Sequence, residues 1–402
     1  MLQNYSQSPA DQVFIQNPYP FYRQARGGGD LFMWTDYDQV SAISHRAVSR
    51  FLRDRRWGRE IPPEFRQEAP AHLEPFTSLE QHSMLELDPP DHTRLRGLAN
   101  RAFTSRRINS LEPDIRELAT QLAMADDGEF IELHRNFAER LPVMVIARLL
   151  GIEESMCSQL LSWSHDMVAM YQANCDYQAE LRAASAAAEF TEFMRSQIEQ
   201  KRKAPANDLI SDLIAARDED GRLTPDEMIS TCILLLNAGH EATAYSIGNG
   251  IKSILESGQD PQHLLSTANR EATVEEILRF DPPLHIFERY AKEDQEMFGV
   301  EFRRGDKVAV LLAAANRDPD VFEKPEEFVA GRRASPHTSF GAGIHFCVGA
   351  PLARLELAVG LSTLFEIFPE LAIARPPRYA DRYHFHGLEE LWVTTGPAGA
   401  SP

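Results

Sequence analysis

The chain has 402 residues, 43% hydrophobic and 25% charged, with a formal net charge of −19. So acidic a balance argues against a broad basic face for nucleic acid, because phosphate binding needs clustered Lys and Arg. The four cysteines, Cys157, Cys175, Cys232 and Cys347, form no C-x-x-C pair, which excludes a disulfide-stapled scaffold and a structural zinc site of usual spacing. The opening MLQNYSQSPADQVF lacks a basic stretch followed by an apolar run, and the longest apolar run, Cys232–Leu236, is far too short to cross a bilayer. A cytoplasmic protein is expected.

Apolar residues at three- and four-residue spacing predict helices over 93–103, 110–125, 137–150, 178–202, 225–257 and 352–368. Strand signals are few: VEF at 300–302 and VAVLL at 308–312 on either side of an RRGD turn, and a last strand near 391–394. The Pro-rich stretches 61–75 and 374–379 read as loops, and KRKAPAND at 201–208 as a helix connection. No repeat or long Gly/Ser linker interrupts the chain. The pattern predicts one domain over 1–402, mainly α with small β-sheets.

The helix over 225–257 is the best signalled. Thr224 can cap it, Pro225 suits its first position, Glu227 completes a capping box, and Gly258 ends it. Its middle is apolar all round, which predicts a path through the core. Gly239 in that middle is destabilising by roughly 1 kcal/mol against Ala, so a flat group lying close to the helix backbone is expected there. The segment ARDEDGRLTPDE at 216–227 has carboxylates and a glycine at several calcium-loop positions, but its first position is Ala216, so it reads as a turn.

The densest chemistry lies in SFGAGIHFCVGAPLARLE, 339–356. A lone thiol, Cys347, sits among Gly341, Gly343 and Gly349, directly before a Pro351-started helix. A helix N-terminus favours the thiolate, a strong soft metal ligand, and the glycines let backbone N–H groups and a planar ring come close. Together these features point to an axial thiolate on a haem iron with the opposite side open.

Phe340-Gly341-x-Gly343-x-His345-x-Cys347-x-Gly349 resembles the haem-binding loop of the cytochrome P-450 superfamily of haem-thiolate monooxygenases. Further segments agree in order: DHTRLRG at 91–97, AGHEAT at 238–243, EILR with Glu276 and Arg279, FERYAKED at 287–294 and ANRDP at 315–319. The resemblance covers the chain from about residue 85 onward. It implies the P-450 fold, with haem b between a long central helix and the cysteine loop. It implies Cys347 as iron ligand, His92, Arg96, Arg289 and His345 on the haem propionates, and Phe340 and Gly349 against the ring. Gly239 would face the open side of the iron, and Glu276 and Arg279 would lock the core. The implied activity is insertion of one atom of O2 into a C–H bond of a hydrophobic small molecule of terpenoid, steroid, fatty acid or polyketide type. Electrons would come from a ferredoxin or flavodoxin system, and a monomer is expected.

The match departs from the family at one place. The threonine expected after the acid of the central-helix motif is Ala242, with Thr243 next and Glu241 retained as the acid. A methyl group cannot donate a hydrogen bond, and Thr243 points about 100° further round the helix. The expected remedies are proton delivery assisted by the substrate, a peroxide-driven reaction, or a local helix shift that brings Thr243 into play. A non-catalytic haem sensor is the alternative outside enzymology. Substrate contacts are expected from Met84, Leu85, Leu235, Leu236, Ala238, His285, Ile286, Phe287 and Leu388, with Met167, Met170 and Tyr171 in a mobile lid. Arg101, Arg106, Arg107 and Arg354 form a basic cluster suited to an acidic redox partner.

Overall fold

The computed structural model describes residues 2–126, 128–172, 175–220, 223–332 and 336–396, with backbone alone at 101, 102 and 216–220. Helices carry most of it. Those expected from periodicity appear at Asp91–Ala102, Glu112–Ala123, Arg140–Leu150, Tyr177–Lys203, Pro225–Ser257 and Ala350–Ile367. The central helix, Pro225–Ser257, starts as its sequence requires. Thr224 Oγ1 accepts from the Glu227 N–H at 3.2 Å, and Glu227 Oε2 accepts from the Thr224 N–H at 2.8 Å. Gly258 ends the helix in the left-handed region, at φ +67. Helices Arg140–Leu150 and Ala350–Ile367 pack against this helix, and their apolar faces share one large core with it.

The sheet structure is larger than the strand signals suggested. A six-stranded sheet runs in the order Asn4–Tyr5, Leu31–Trp34, Gln39–Ala42, Lys307–Leu311, Ile286–Ala291, Trp57–Gly58. The two strands beside the RRGD turn lie in different sheets: Val300–Phe302 pairs with Gln295–Met297, whereas Lys307–Leu311 is central to the six-stranded sheet. The last strand, Trp392–Thr394, lies between Ala372–Ile373 and Phe130–Glu132. An aromatic core built from Phe14, Tyr19, Phe21, Tyr22, Phe32 and Trp34 covers one face of the large sheet. No helix among the described residues is long and apolar enough to cross a membrane.

Candidate functional site

The cysteine loop is a tight backbone knot. The Gly341 N–H donates to the Thr338 carbonyl at 2.8 Å, and the Cys347 N–H to the Phe340 carbonyl at 3.0 Å. Gly341 and Gly343 hold φ of +67 and +73, where side chains are strained, and a Cβ on Gly343 would collide with the Leu52 carbonyl. Gly349 then begins the helix Ala350–Ile367, with Pro351 in its first turn. Burial pushes the Cys347 thiol up, while the N–H groups of Gly349 and Ala350 and the charge of Arg96 act to lower it. Donors aimed at sulfur favour the thiolate that a metal requires.

Beside this loop sits a cationic cradle short of anions. Arg289 is 3% exposed, and its Nη1 donates to the Glu288 carbonyl at 2.8 Å. No carboxylate among the described residues forms an ion pair with it. Burial, with Arg59 nearby, pushes it down to about 9. His92 is 2% exposed with Nδ1 unpartnered, and burial followed by His345 and Arg96 pushes it down to about 4. The His92 and His345 rings lie 4.2 Å apart. His345 Nε2 is 3.3 Å from Asp88, which also meets Lys292 at 3.0 Å, and Arg96 donates to the Phe346 carbonyl. A buried guanidinium without a counter-ion is destabilising, so a ligand bearing carboxylates suits this cradle. The two propionates of a haem fit it, and the thiol alongside fits the iron.

The central helix is buried along most of its length, yet Ala238 is exposed and Leu234, Asn237, Gly239 and Ala242 are half-buried. Leu234, Ala238 and Ala242 recur every four residues and form one open face. This corrects three expectations. The Cβ position of Gly239 points at Ile146 of the helix Arg140–Leu150, 3.6 Å from its side chain, so Ala238 and Ala242 hold the open face instead. Leu235 and Leu236 are core residues at 5% and 0% exposure, turned away by the helical step of ~100° from Leu234. Thr243 is buried at 4%, and the helix runs through it without a break.

Glu241 is buried at 3% and surrounded by polar groups. Its Oε1 accepts from the Tyr245 hydroxyl at 3.2 Å and from Arg382 at 3.4 Å. Its Oε2 lies 3.2 Å from His240 Nε2 and 3.3 Å from His165 Nε2. Burial alone would raise this carboxyl, but His240, His165 and Arg382 outweigh it and hold the group at about 2. Sequence reasoning did not find His165 or Arg382. They come from a helix some 75 residues before Glu241 and from the C-terminal loop, and no local pattern marks either one.

The other expected substrate contacts divide. Phe287 is half-buried on the same strand face as Arg289, and its ring lies 3.9 Å from the Cβ position of Gly341. Ile286, one residue earlier, faces the other way into the aromatic core with Phe14, Tyr22 and Tyr383. His285 is fully buried, with Nδ1 2.8 Å from the Tyr22 hydroxyl and its ring 4.6 Å from His386, so it serves a packed polar network and is no free anchor. Leu388 is fully buried beside Gly248, nine residues beyond Gly239 and about 14 Å further along the central helix. Three residues before Leu388, Phe385 pairs in a β-bridge with Leu284. Met84 is a core residue at 6%, and Leu85 is half-buried with its carbonyl accepting from Arg59 at 3.2 Å.

The lid residues are tied down. Met167 is 2% exposed and its sulfur accepts from Asn237 Nδ2 at 3.6 Å, over the open face of the central helix. Met170 is half-buried against the main core. The Tyr171 hydroxyl donates to Glu80 at 2.6 Å, and its carbonyl accepts from His384 at 2.7 Å. Glu276 and Arg279 form a buried bidentate pair, both bonds 2.8 Å, and Arg279 also donates to the carbonyls of Asn316, Pro325 and Glu327. Of the basic cluster, Arg107 pairs with Asp212, and Arg354 pairs with Glu275 while stacking 4.6 Å over Phe340. Two of its charges are thus already neutralised, Arg106 lies on the short helix Ser105–Asn109, and the Arg101 side chain is outside the described residues. Glu227 is engaged by Thr224 and Arg94, as a helix start requires, and the side chains of 216–222 are outside the described residues.

Comparison with known proteins agrees with this geometry. A family model described as Cytochrome P450 matches residues 270–373. The biotin biosynthesis cytochrome P450 of Bacillus subtilis is 34% identical over 395 residues, covering 96% of this chain and 98% of that protein. The vitamin D(3) 25-hydroxylase of Pseudonocardia autotrophica is 37% identical over 412 residues, covering 96% of each. Among solved structures, P450BioI in complex with an acyl carrier protein ligated to hexadec-9Z-enoic acid superposes with a TM-score of 0.89 at 32% identity, covering 95% of this chain and 99% of that one. The chain belongs to the cytochrome P450 family, whose haem is held by a cysteine thiolate, and is an oxygenating oxidoreductase.

Proposed function

We propose that the chain is a haem-thiolate monooxygenase for a long, largely apolar substrate, with Cys347 as the iron ligand. The observation that carries the reading is the pairing of a donor-surrounded thiol with the anion-deficient cradle of Arg289 and His92. Haem supplies the activation of O2 and the transfer of one oxygen atom to carbon. The chain supplies the rest. Arg289 and His92, with Arg96 and His345, hold the propionates. Leu234, Ala238, Ala242 and Phe287 form an apolar wall that orients the substrate and excludes water. Glu241 keeps a buried carboxylate one residue from the open face. Ala242 offers no hydroxyl to pass a proton on, so a hydroxyl or carboxyl of the substrate, with ordered water, completes that path.

The substrate class follows from this wall together with the relatives. Their names and complexes refer to biotin biosynthesis, vitamin D(3), polyketide biosynthesis and a fatty acyl group on a carrier protein. A polar end and an apolar body are common to the acyl, steroid and polyketide classes. Electrons reach the site from a ferredoxin or flavodoxin docked on the cysteine-loop face, where Phe346 is 38% exposed. The test is a carbon monoxide difference spectrum of the reduced protein. It should show the thiolate-type band, and Cys347→Ser should abolish that band while the chain stays folded. Retention of the band in Cys347→Ser overturns the assignment. A spin-state screen over acyl, steroid and polyketide compounds then ranks the substrate classes.

A further inference from the structure

We propose that His165, His240 and Glu241 form a binding site for one divalent transition-metal ion of the zinc class, joining the helix Cys157–Val168 to the central helix. The site lies outside the haem ligands, and its existence does not depend on the reading above. The three donor atoms lie within 4.8 Å of one another. Glu241 Oε2 stands 3.2 Å from His240 Nε2 and 3.3 Å from His165 Nε2. A tetrahedral zinc ion with bonds of ~2.0–2.1 Å sets its donor atoms about 3.3 Å apart, so two edges of that tetrahedron are already in place.

These contacts do not act as hydrogen bonds. Glu241 Oε2 and His240 Nε2 are both buried and have no hydrogen-bond partner, although they face each other. The other ring nitrogen of His240 explains why. Its Nδ1 lies 3.3 Å from the Leu236 carbonyl, which can only accept, and 3.5 Å from the Ser164 hydroxyl, so a hydrogen on Nδ1 has its acceptor in that carbonyl. A protonated ring would put Nε2–H toward the carboxylate and help hold it at about 2, whereas in the neutral tautomer with its hydrogen on Nδ1, Nε2 presents a lone pair to a carboxylate oxygen. Two buried acceptors at 3.2 Å repel unless positive charge lies between them. A ring N–H placed on a backbone carbonyl is also the arrangement that orients metal-ligating histidines. The carboxylate is oriented as well: Tyr245 and Arg382 occupy Oε1, which leaves Oε2 for the ion. The His165 side chain, 37% exposed, supplies an entry path from solvent and leaves a coordination position for water. An ion bound here fastens the Cys157–Val168 helix over the open face and engages the carboxylate next to Ala242.

The test uses full-length, haem-loaded protein without a polyhistidine tag, treated with chelator and titrated with zinc chloride by calorimetry. Metal content is measured after dialysis. The expected result is one zinc per chain, with affinity at least tenfold weaker in His165→Ala and His165→Gln and unchanged in His263→Ala, an exposed histidine elsewhere. Zinc should raise the unfolding temperature of the native protein and not that of His165→Ala. His165 is at the surface, so its variants should fold even where a His240 variant does not. Equal zinc affinity in His165→Ala and the native chain overturns the proposal. So does the absence of a stoichiometric site, which would mean that a proton on His240 alone supplies the charge. Bound metal is the readout, so failure here leaves the haem assignment intact.

Discussion

At the scale of single residues, the proposed proton path turns on Ala242. It lies on the open face, while Thr243 is buried on another, so the neighbouring hydroxyl is no substitute. If the substrate supplies the missing group, Ala242→Thr should raise product formed per reduced nicotinamide several-fold for substrate analogues that lack a hydroxyl or carboxyl. For substrates that bear one, the change should stay below about twofold, far from the ~10²-fold effect of losing a general acid. An equal gain with both kinds of substrate removes the substrate from the relay. Cys347 was legible in the sequence because its loop is local: glycines that permit left-handed backbone, and a helix start, all fall within ten residues. His165 and Arg382 were not, because their meaning depends on Glu241, far away in the chain.

At the scale of elements, the same contrast between local and distant signals recurs. The long helices were legible from their period, and the central helix from its caps. The strands Leu31–Trp34 and Gln39–Ala42 were not. They are four residues each and covered by distant chain, so no alternation marks them. The Glu276–Arg279 pair shows what spacing can and cannot say. Three-residue spacing permits a bridge, but only the fold buries both ends to about 2% exposure and adds the carbonyls of Asn316, Pro325 and Glu327. Arg279→Met should therefore cost at least about 2 kcal/mol in urea unfolding, because the carbonyls of Asn316, Pro325 and Glu327 lose their donor and the buried carboxylate keeps only Arg332, 3.0 Å away, as a cationic partner. A loss below about 1 kcal/mol would make it an ordinary surface pair. The bond between Tyr171 and Glu80 makes a second prediction. Burial pushes Glu80 up from 4.5 to about 7, with Tyr171 and Arg59 opposing the rise and Glu86 adding to it. The folded chain then holds this proton more tightly than the unfolded one. Its stabilising contribution is full below the ordinary carboxyl range and is lost as pH rises through about 7. Denaturation at a series of pH values should show the native chain losing stability relative to Glu80→Gln between those limits. Parallel curves would place Glu80 in water.

At the scale of the whole molecule, the proposed propionate cradle would link folding to cofactor. Arg289 on the six-stranded sheet and His92 on the helix Asp91–Ala102 come from chain segments about 200 residues apart, and both are buried, Arg289 with no ion-pair partner among the described residues and His92 with Nδ1 unpartnered. Such groups oppose folding of the bare polypeptide and favour the complex with an anionic ligand. On the proposed assignment the stability of this fold is divided between chain and haem, and the two shares can be separated. Removing haem should lower the unfolding temperature, since a ligand at a thousandfold excess over its Kd contributes about 4 kcal/mol. In Arg289→Met the haem-free protein should unfold at the same urea concentration as the native haem-free protein, or at a higher one, because a buried unpaired charge has been removed. The haem-loaded variant should lose its cofactor at least tenfold faster to an acceptor such as apomyoglobin. A purely structural arginine would behave in the opposite way, weakening the haem-free fold and leaving haem retention unchanged. The sign of the shift in the haem-free protein thus distinguishes a residue kept for packing from one kept for its ligand.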